Sequence, residues 1–274
     1  MLDTGDRLLQ QAAQGGYAVP AFNVDNLESI LAVTDVAREF DAPMIVQTIP
    51  RTLRYGGVRT YVAMLGALDR GGKMAMHLDH GGDEDICRAC IDAGYSSVMI
   101  DGSALAFEQN VALTARVVAY AHARGVAVEG ELGTIGGKEE TAASIGYTDP
   151  DQAEEFARRT GVDSLAIGVG TAHGVYRGEP HIAIDRIETI AARISTPLVL
   201  HGASGLSDEV VRACVRAGIR KINFATELRQ AFTRGLQEGL RACPDAFDPK
   251  QYLPYAIERI RQVVVAKTRL CLGR

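Results

Sequence analysis

Apolar and polar positions switch between two periods along the whole chain. Short apolar runs at 17–22, 43–47, 73–79, 97–101, 126–131, 163–168, 197–201 and 219–224 read as strands. They are apolar nearly throughout instead of at every second position, so both faces are covered, as in a parallel sheet dressed with helices. Between them lie stretches with apolar residues three and four apart, at 26–40, 59–69, 83–93, 107–124, 151–160, 184–194 and 208–217. Such alternation also allows an open doubly wound sheet, but eight β/α units in 274 residues is the count of a (β/α)8 TIM barrel. The expected class is therefore α/β. An additional C-terminal helical segment, 249–270, lies beyond the eighth unit and packs across the barrel or against a second subunit. No linker or low-complexity stretch divides the chain, so residues 1–274 are read as a single domain.

Tight turn signals precede the strands, among them Asp41-Ala-Pro43, Gly71-Gly72, Ser195-Thr-Pro197 and Ala217-Gly218. The connections that follow the strands are longer, above all 133–149 and 171–182. In a barrel these βα loops build the active site at the C-terminal face.

Composition narrows the classes. Apolar residues make up 47% and charged residues 23%, ordinary for a soluble globular protein. A net charge of −5 gives no basic footprint for nucleic acid, and no apolar stretch is long enough to cross a membrane. The first residues lack the basic and apolar regions of a signal peptide. Five scattered cysteines, an odd number, suit a reducing cytoplasm, where we expect the protein to reside. Cys87 and Cys90 form a C-x-x-C, but they fall inside a helical pattern with no second pair, and read as small core residues.

Half of the six histidines stand at the downstream ends of strand-like runs: His80 in Met74-Ala-Met-His-Leu-Asp-His80, His173 in Gly170-Thr-Ala-His173, and His201 in Pro197-Leu-Val-Leu-His201. Imidazoles gathered at one end of a parallel sheet suit a metal with an open coordination position. His77 and Asp79 share one face of an extended strand, so His80 is expected at or past the strand end. Asp101, Glu129 and Glu131 end the neighbouring runs, as orienting partners of histidines or, for Glu131, as a second or alternate metal ligand. Glu139 and Glu140 follow Gly136-Gly137 in a long loop, either as solvated surface or as an acid/base delivered by a hinged loop. Gly202-Ala-Ser-Gly205 and Asn223-Phe-Ala-Thr226 follow strands seven and eight, where barrels bind phosphate on backbone amides and a helix N-terminus.

These motifs resemble the zinc-dependent class II ketose-bisphosphate aldolases, particularly the tagatose- and fructose-bisphosphate branch. The resemblance runs from Tyr17-Ala-Val-Pro-Ala-Phe-Asn23 to the C-terminal helix. It rests on His77-Leu-Asp-His-Gly81, Met99-Ile-Asp-Gly-Ser103, Glu129-Gly-Glu-Leu-Gly133, Gly170-Thr-Ala-His-Gly174, Leu200-His-Gly-Ala-Ser-Gly205 and Lys221-Ile-Asn-Phe-Ala-Thr-Glu227. It implies a zinc ion held by His80, His173 and His201, with Asp79 as catalytic acid/base and Glu139 as a proton shuttle at C3. Glu131 falls where some members hold a second or alternate zinc. Asn23, Gly174, Gly202, Ala203, Ser204, Asn223, Phe224, Ala225 and Thr226 are the implied substrate contacts for dihydroxyacetone phosphate. Some members add a monovalent cation, Na+ or K+, near these glycines. A homodimer or homotetramer acting on a phosphorylated ketose is expected.

The departures from the family pattern cluster at the far end of the substrate. An arginine that fructose-bisphosphate members place in the C-terminal segment is Ile257 here, with Arg259 and Arg261 out of register. A serine or threonine after strand two is Ile49, followed by Arg51 and Arg54 in the same loop, and a lysine after His-Gly-x-Tyr is Arg177. Losing charge-assisted hydrogen bonds there removes several kcal/mol of anion binding. Either Arg51 or Arg54 takes the distal phosphate, or the distal group is not a phosphate. Tagatose or fructose 1,6-bisphosphate is the default substrate, with another 1-phospho-ketose or a deoxy-ketogluconate phosphate as the alternative. A zinc-dependent epimerase or isomerase on the same scaffold is the competing reaction class.

Overall fold

A computed structural model describes residues 2–68, 73–134, 146–174, 176, 178 and 180–274. Eight parallel strands close into a barrel in sequence order. They are β1 (Val19–Asn23), β2 (Met44–Thr48), β3 (Met74–Gly81), β4 (Ser97–Ile100), β5 (Ala127–Leu132), β6 (Ser164–Ile167), β7 (Leu198–Leu200) and β8 (Ile219–Phe224). The helices are α1 (Gly5–Gly15), α2 (Leu27–Glu39), α3 (Pro50–Gly56), α4 (Val58–Leu68), α5 (Glu84–Ala93), α6 (Phe107–His122), α7 (Pro150–Thr160), α8 (Ile184–Arg193), α9 (Asp208–Ala217), α10 (Thr226–Ala242) and α11 (Pro249–Leu272). The expected TIM barrel with an extra C-terminal helix is what the chain forms.

Strand alternation sorts the residues into two cores. Outward positions such as Phe22, Val46, Met76, Val98, Val128 and Leu200 meet the helices in one large cluster. Inward positions change character from apolar at the floor to polar at the mouth. At the floor, Val19, Ala21, Ile45 and Ala75 pack with Leu8, Leu9 and Ala12 of α1, which plugs that end. Above them the inward residues of β1, β2, β3, β5 and β8 become Asn23, Gln47, His77, Asp79, Glu129, Glu131, Lys221 and Asn223, all buried. A barrel interior that is polar toward its C-terminal face has to satisfy those groups with one another.

The βα connections end in caps that start each helix sharply. Asn26 and Ser29 form a capping box on α2, and Asp83, Asp149 and Ser207 cap α5, α7 and α9. α11 packs on α10 and α2 of its own chain. The α10–α11 approach is so close that a Cβ on Gly235 would stand 2.5 Å from the Tyr255 carbonyl oxygen.

Two differences from the sequence expectation bear directly on the site. The segment after strand two is the helix α3, started by Pro50 at its first turn, and not a loop. Strand three also continues through His80 to Gly81, where the register slips between Leu78 and Gly81. His80 takes a left-handed backbone, φ +50°. That conformation, costing a non-glycine residue about 1–3 kcal/mol, aims Asp79 and His80 at the same mouth although they are neighbours in sequence.

Candidate metal centre and active site

Three histidines converge: His80 near the end of β3, His201 just past β7, and His173, which the sequence placed at a strand end, from the connection six residues beyond β6. His80, His173 and His201 each offer a ring nitrogen, and these atoms lie within 4.8 Å of one another. The ring of His80 stands 5.0 Å from that of His173 and 4.7 Å from that of His201. A second group, His80 with Asp101 and Glu131, is equally close and shares the His80 ligand.

The half-buried imidazole of His80 and the buried ones of His201 and His77 are oriented from behind. Asp101 Oδ2 lies 2.8 Å from His80 Nδ1, and its other oxygen accepts from the Ser103 hydroxyl and amide. Glu129 Oε1 lies 2.9 Å from His201 Nε2. A carboxylate there holds the proton on Nε2 and leaves the Nδ1 lone pair aimed at the centre. Glu129 is itself fixed by Lys221, whose Nζ donates across 2.7 Å to Oε2. His77 completes this layer, with Nδ1 2.8 Å from Ser97 Oγ and Nε2 3.5 Å from Lys221 Nζ.

Asp79 is 4% exposed and is gripped by two amides. Asn23 Nδ2 donates to Oδ2 at 2.8 Å and Asn223 Nδ2 donates to Oδ1 at 3.0 Å. Gln47 in turn donates to Asn23 Oδ1 at 2.8 Å, which fixes the direction of the Asn23 amide. Both oxygens of Asp79 are thus acceptors, the pattern of an ionised carboxylate.

Burial and the neighbouring carboxylates set the charge states of the site. Burial works against a charged His80, yet the carboxylates of Asp79, Asp101 and Glu131 raise its pKa to about 10. Burial likewise opposes a charged Asp79, but His80, His201 and Lys221 hold it down at about 2. Glu131 is pushed up to about 8 by burial and by Asp101. Burial lowers the pKa of His201, against the opposing hydrogen bond with Glu129. His201 Nδ1 and Glu131 Oε2 are buried with no hydrogen-bond partner. Buried polar atoms without partners are costly, and a metal ion on these nitrogen and oxygen donors would satisfy both.

A cavity of about 230 Å³ opens beside this centre. Its wall contains Asn23, Asp79, His80, His173, Gly174, Gly202, Ser204, Asn223, Ala225 and Thr226, with Ile49 and Arg229 at the rim. At Gly202 the chain needs glycine: φ is +68°, and a Cβ would meet the Ala172 carbonyl oxygen at 2.7 Å.

The remaining sequence candidates fall elsewhere. Ala203 is buried, and Phe224 is fully buried against Phe22, ring centroids 5.8 Å apart, so neither side chain lines the cavity. Arg51 and Arg54 project from the exposed side of α3, while Thr52 and Leu53 turn inward. Glu139, Glu140 and Arg177 lie outside the described residues. Three residues escaped the sequence reading. Arg229 stands one turn into α10, where only a cavity wall reveals its use. Asp25 pairs with it from 204 positions away. Lys221 read as a strand residue, although its two-residue spacing from Asn223 already placed it on the inward face.

The converging imidazoles, the clamped carboxylate and the adjoining cavity lie together at the C-terminal face of the barrel, where barrel enzymes build their active sites. The model of the class-II fructose-bisphosphate aldolase family matches residues 3–273, and the chain belongs to that family. Among solved structures, the YdjI aldolase from Escherichia coli K12 superimposes with a TM-score of 0.87 at 31% identity, over 99% of this chain and 97% of that one. Fructose-bisphosphate aldolase from Campylobacter jejuni shares the fold, with a TM-score of 0.85 at 22% identity over 98% and 95% of the two chains. By membership the enzyme is an aldolase.

Proposed function

We propose that the chain is a zinc-dependent aldolase that reversibly cleaves a ketose carrying a 1-phosphate into dihydroxyacetone phosphate and an aldehyde. The observation that carries this reading is the meeting of three imidazoles with the doubly held Asp79 on one cavity wall. A zinc ion held by His80, His173 and His201, with Glu131 as a second or alternate ligand, would supply Lewis-acid stabilisation of negative charge on the ketose oxygens, worth several kcal/mol.

The chain's own residues account for the rest. Asp79 accepts the proton of the C4 hydroxyl as the C3–C4 bond breaks and the aldehyde forms. The positive charge around it keeps it ionised and its two amide donors keep it aimed, so it waits as a base at neutral pH. Asp101 and Glu129 hold the imidazoles in the tautomers that ligation needs. Gly174, Gly202, Ser204, Asn223 and Thr226 line the part of the cavity after strands six to eight, where the 1-phosphate is held. Glu139 is assigned the return of a proton to C3, which completes dihydroxyacetone phosphate. No lysine forms a Schiff base in this scheme; Lys221 is committed to Glu129.

A coupled assay for triose phosphate tests the proposal on ketose 1-phosphates of both C4 configurations. Release of dihydroxyacetone phosphate supports it. An isomerised or epimerised sugar phosphate with no triose would refute it.

A further inference from the structure

Tyr176 joins two of the connections that build the site. Its hydroxyl accepts from the Ala172 amide at 2.9 Å and donates to the Gly202 carbonyl at 2.7 Å. One oxygen therefore ties the connection after β6, which carries His173 and Gly174, to the connection after β7, which carries His201 and Ser204. The two backbones are also in contact: a Cβ on Gly202 would stand 2.7 Å from the Ala172 carbonyl oxygen and 2.9 Å from its carbon. The tyrosine ring lies along the same turn, since a Cβ on Gly205 would stand 3.4 Å from Tyr176 Cδ2. Burial raises the pKa of the phenol, so it keeps its proton and donates at neutral pH. The turn after β7 is fixed on its other side as well. Ser204 Oγ accepts from the Ala225 amide at 3.3 Å, and Glu227 Oε1 accepts from the Gly205 amide at 3.1 Å. Tyr176 itself does not line the cavity, so whatever it does there passes through the segments it joins.

From this arrangement we infer that Tyr176 is a positioning residue: its hydroxyl sets the spacing between the metal ligand His173 and the phosphate wall at Gly202 and Ser204. With that spacing it sets the fit of a substrate that must reach both at once. The inference rests on the aldolase reading above. Under that reading the 1-phosphate lies on the wall while the ketose oxygens lie at the metal centre, so one small molecule is held at two points. Two-point binding exceeds either point alone only while the points stand at the ligand's own span. A misplacement of about 1 Å forfeits much of that gain. Removing the hydroxyl strands a backbone donor and a backbone acceptor, and the two segments must shift or admit water to satisfy them. A zinc ion by itself, or an inorganic phosphate by itself, spans no such gap.

The test uses Tyr176→Phe, which keeps the ring against Gly205 and removes only the bridge. Calorimetry on the parent and the variant gives three values of Kd: zinc for the metal-free protein, then inorganic phosphate and dihydroxyacetone phosphate for the zinc-loaded protein. Dihydroxyacetone phosphate should bind the variant about tenfold more weakly, a difference of about 1.4 kcal/mol. Zinc and inorganic phosphate should each change by less than about threefold. A loss of less than about threefold for dihydroxyacetone phosphate overturns the inference and leaves the aldolase reading standing. An equal loss for zinc or for inorganic phosphate overturns it too, because the hydroxyl would then only support one segment. Failure of dihydroxyacetone phosphate to bind the unsubstituted zinc-loaded protein overturns the aldolase reading, and this inference with it.

Discussion

Replacing Lys221 by methionine removes the ammonium 2.7 Å from Glu129 while keeping an unbranched side chain of similar length. Both partners are 1% exposed, so the carboxylate left behind has no water to replace its cation. Breaking a buried pair from one side costs about 3–5 kcal/mol, because a charge is stranded. In a protein of this size that corresponds to a fall of roughly 6–20 °C in Tm. The damage also reaches the metal centre: without Lys221, Glu129 loses the partner that keeps it ionised and accepting from His201. Loss of such an outer partner typically weakens metal binding about 10–100-fold. Urea unfolding of the chelator-treated protein and competitive zinc titration measure the two effects separately. Adding Glu129→Gln to the same chain removes the stranded charge and should recover most of the stability. Unfolding of Lys221→Met within about 1 kcal/mol of the parent, or a double variant no more stable than the single, would refute the reasoning.

Asp79→Asn should lower kcat by about 10²–10⁴-fold with zinc content unchanged; zinc lost in step with activity would make Asp79 structural. Gly202→Ala forces a Cβ toward the Ala172 carbonyl at φ +68°, and should destabilise the fold by about 1–3 kcal/mol and raise KM. A KM left at the parent value would remove Gly202 from the phosphate wall. Metal binding should also release protons. In the metal-free protein His80 titrates at about 10, so at pH 7 it holds a proton that ligation must displace. Zinc affinity should therefore rise with pH up to about that value. Calorimetry at pH 7 in buffers of different ionisation enthalpy should show roughly one proton or more released per ion, and none would contradict the assignment of His80.

Much of this was legible in the sequence because periodicity reports local burial. All eight strands lie where continuous apolar runs stand; His80 and His201 stand at the ends of their strands as the spacing indicates, whereas His173 lies six residues past the end of β6, in the connection that follows it. What escaped was set by contacts between distant segments. α1 shows only Leu8, Leu9 and Ala12 on one face, a weak stripe whose purpose appears once a barrel floor needs plugging. α3 hides in a βα connection because seven residues are too few to display a period. His80 joins Asp79 at the mouth through a left-handed backbone that no side-chain pattern encodes. Arg51 attracted attention as the nearest charge to Ile49 in sequence, but helix geometry turns it outward. The cation actually at that rim, Arg229, comes from α10 and is held by a carboxylate on the loop after β1.

The central claim is that imidazoles from β3 and from the connections after β6 and β7 hold a zinc ion on which carbon–carbon bond cleavage depends. It is tested most directly by stripping the enzyme with a chelator and following triose phosphate release as zinc is added back. Turnover should be lost in the stripped protein while circular dichroism still reports the folded barrel. It should then return in proportion to bound zinc and level off near one ion per chain, as expected for a single catalytic site. Undiminished cleavage by fully metal-free protein would contradict the account.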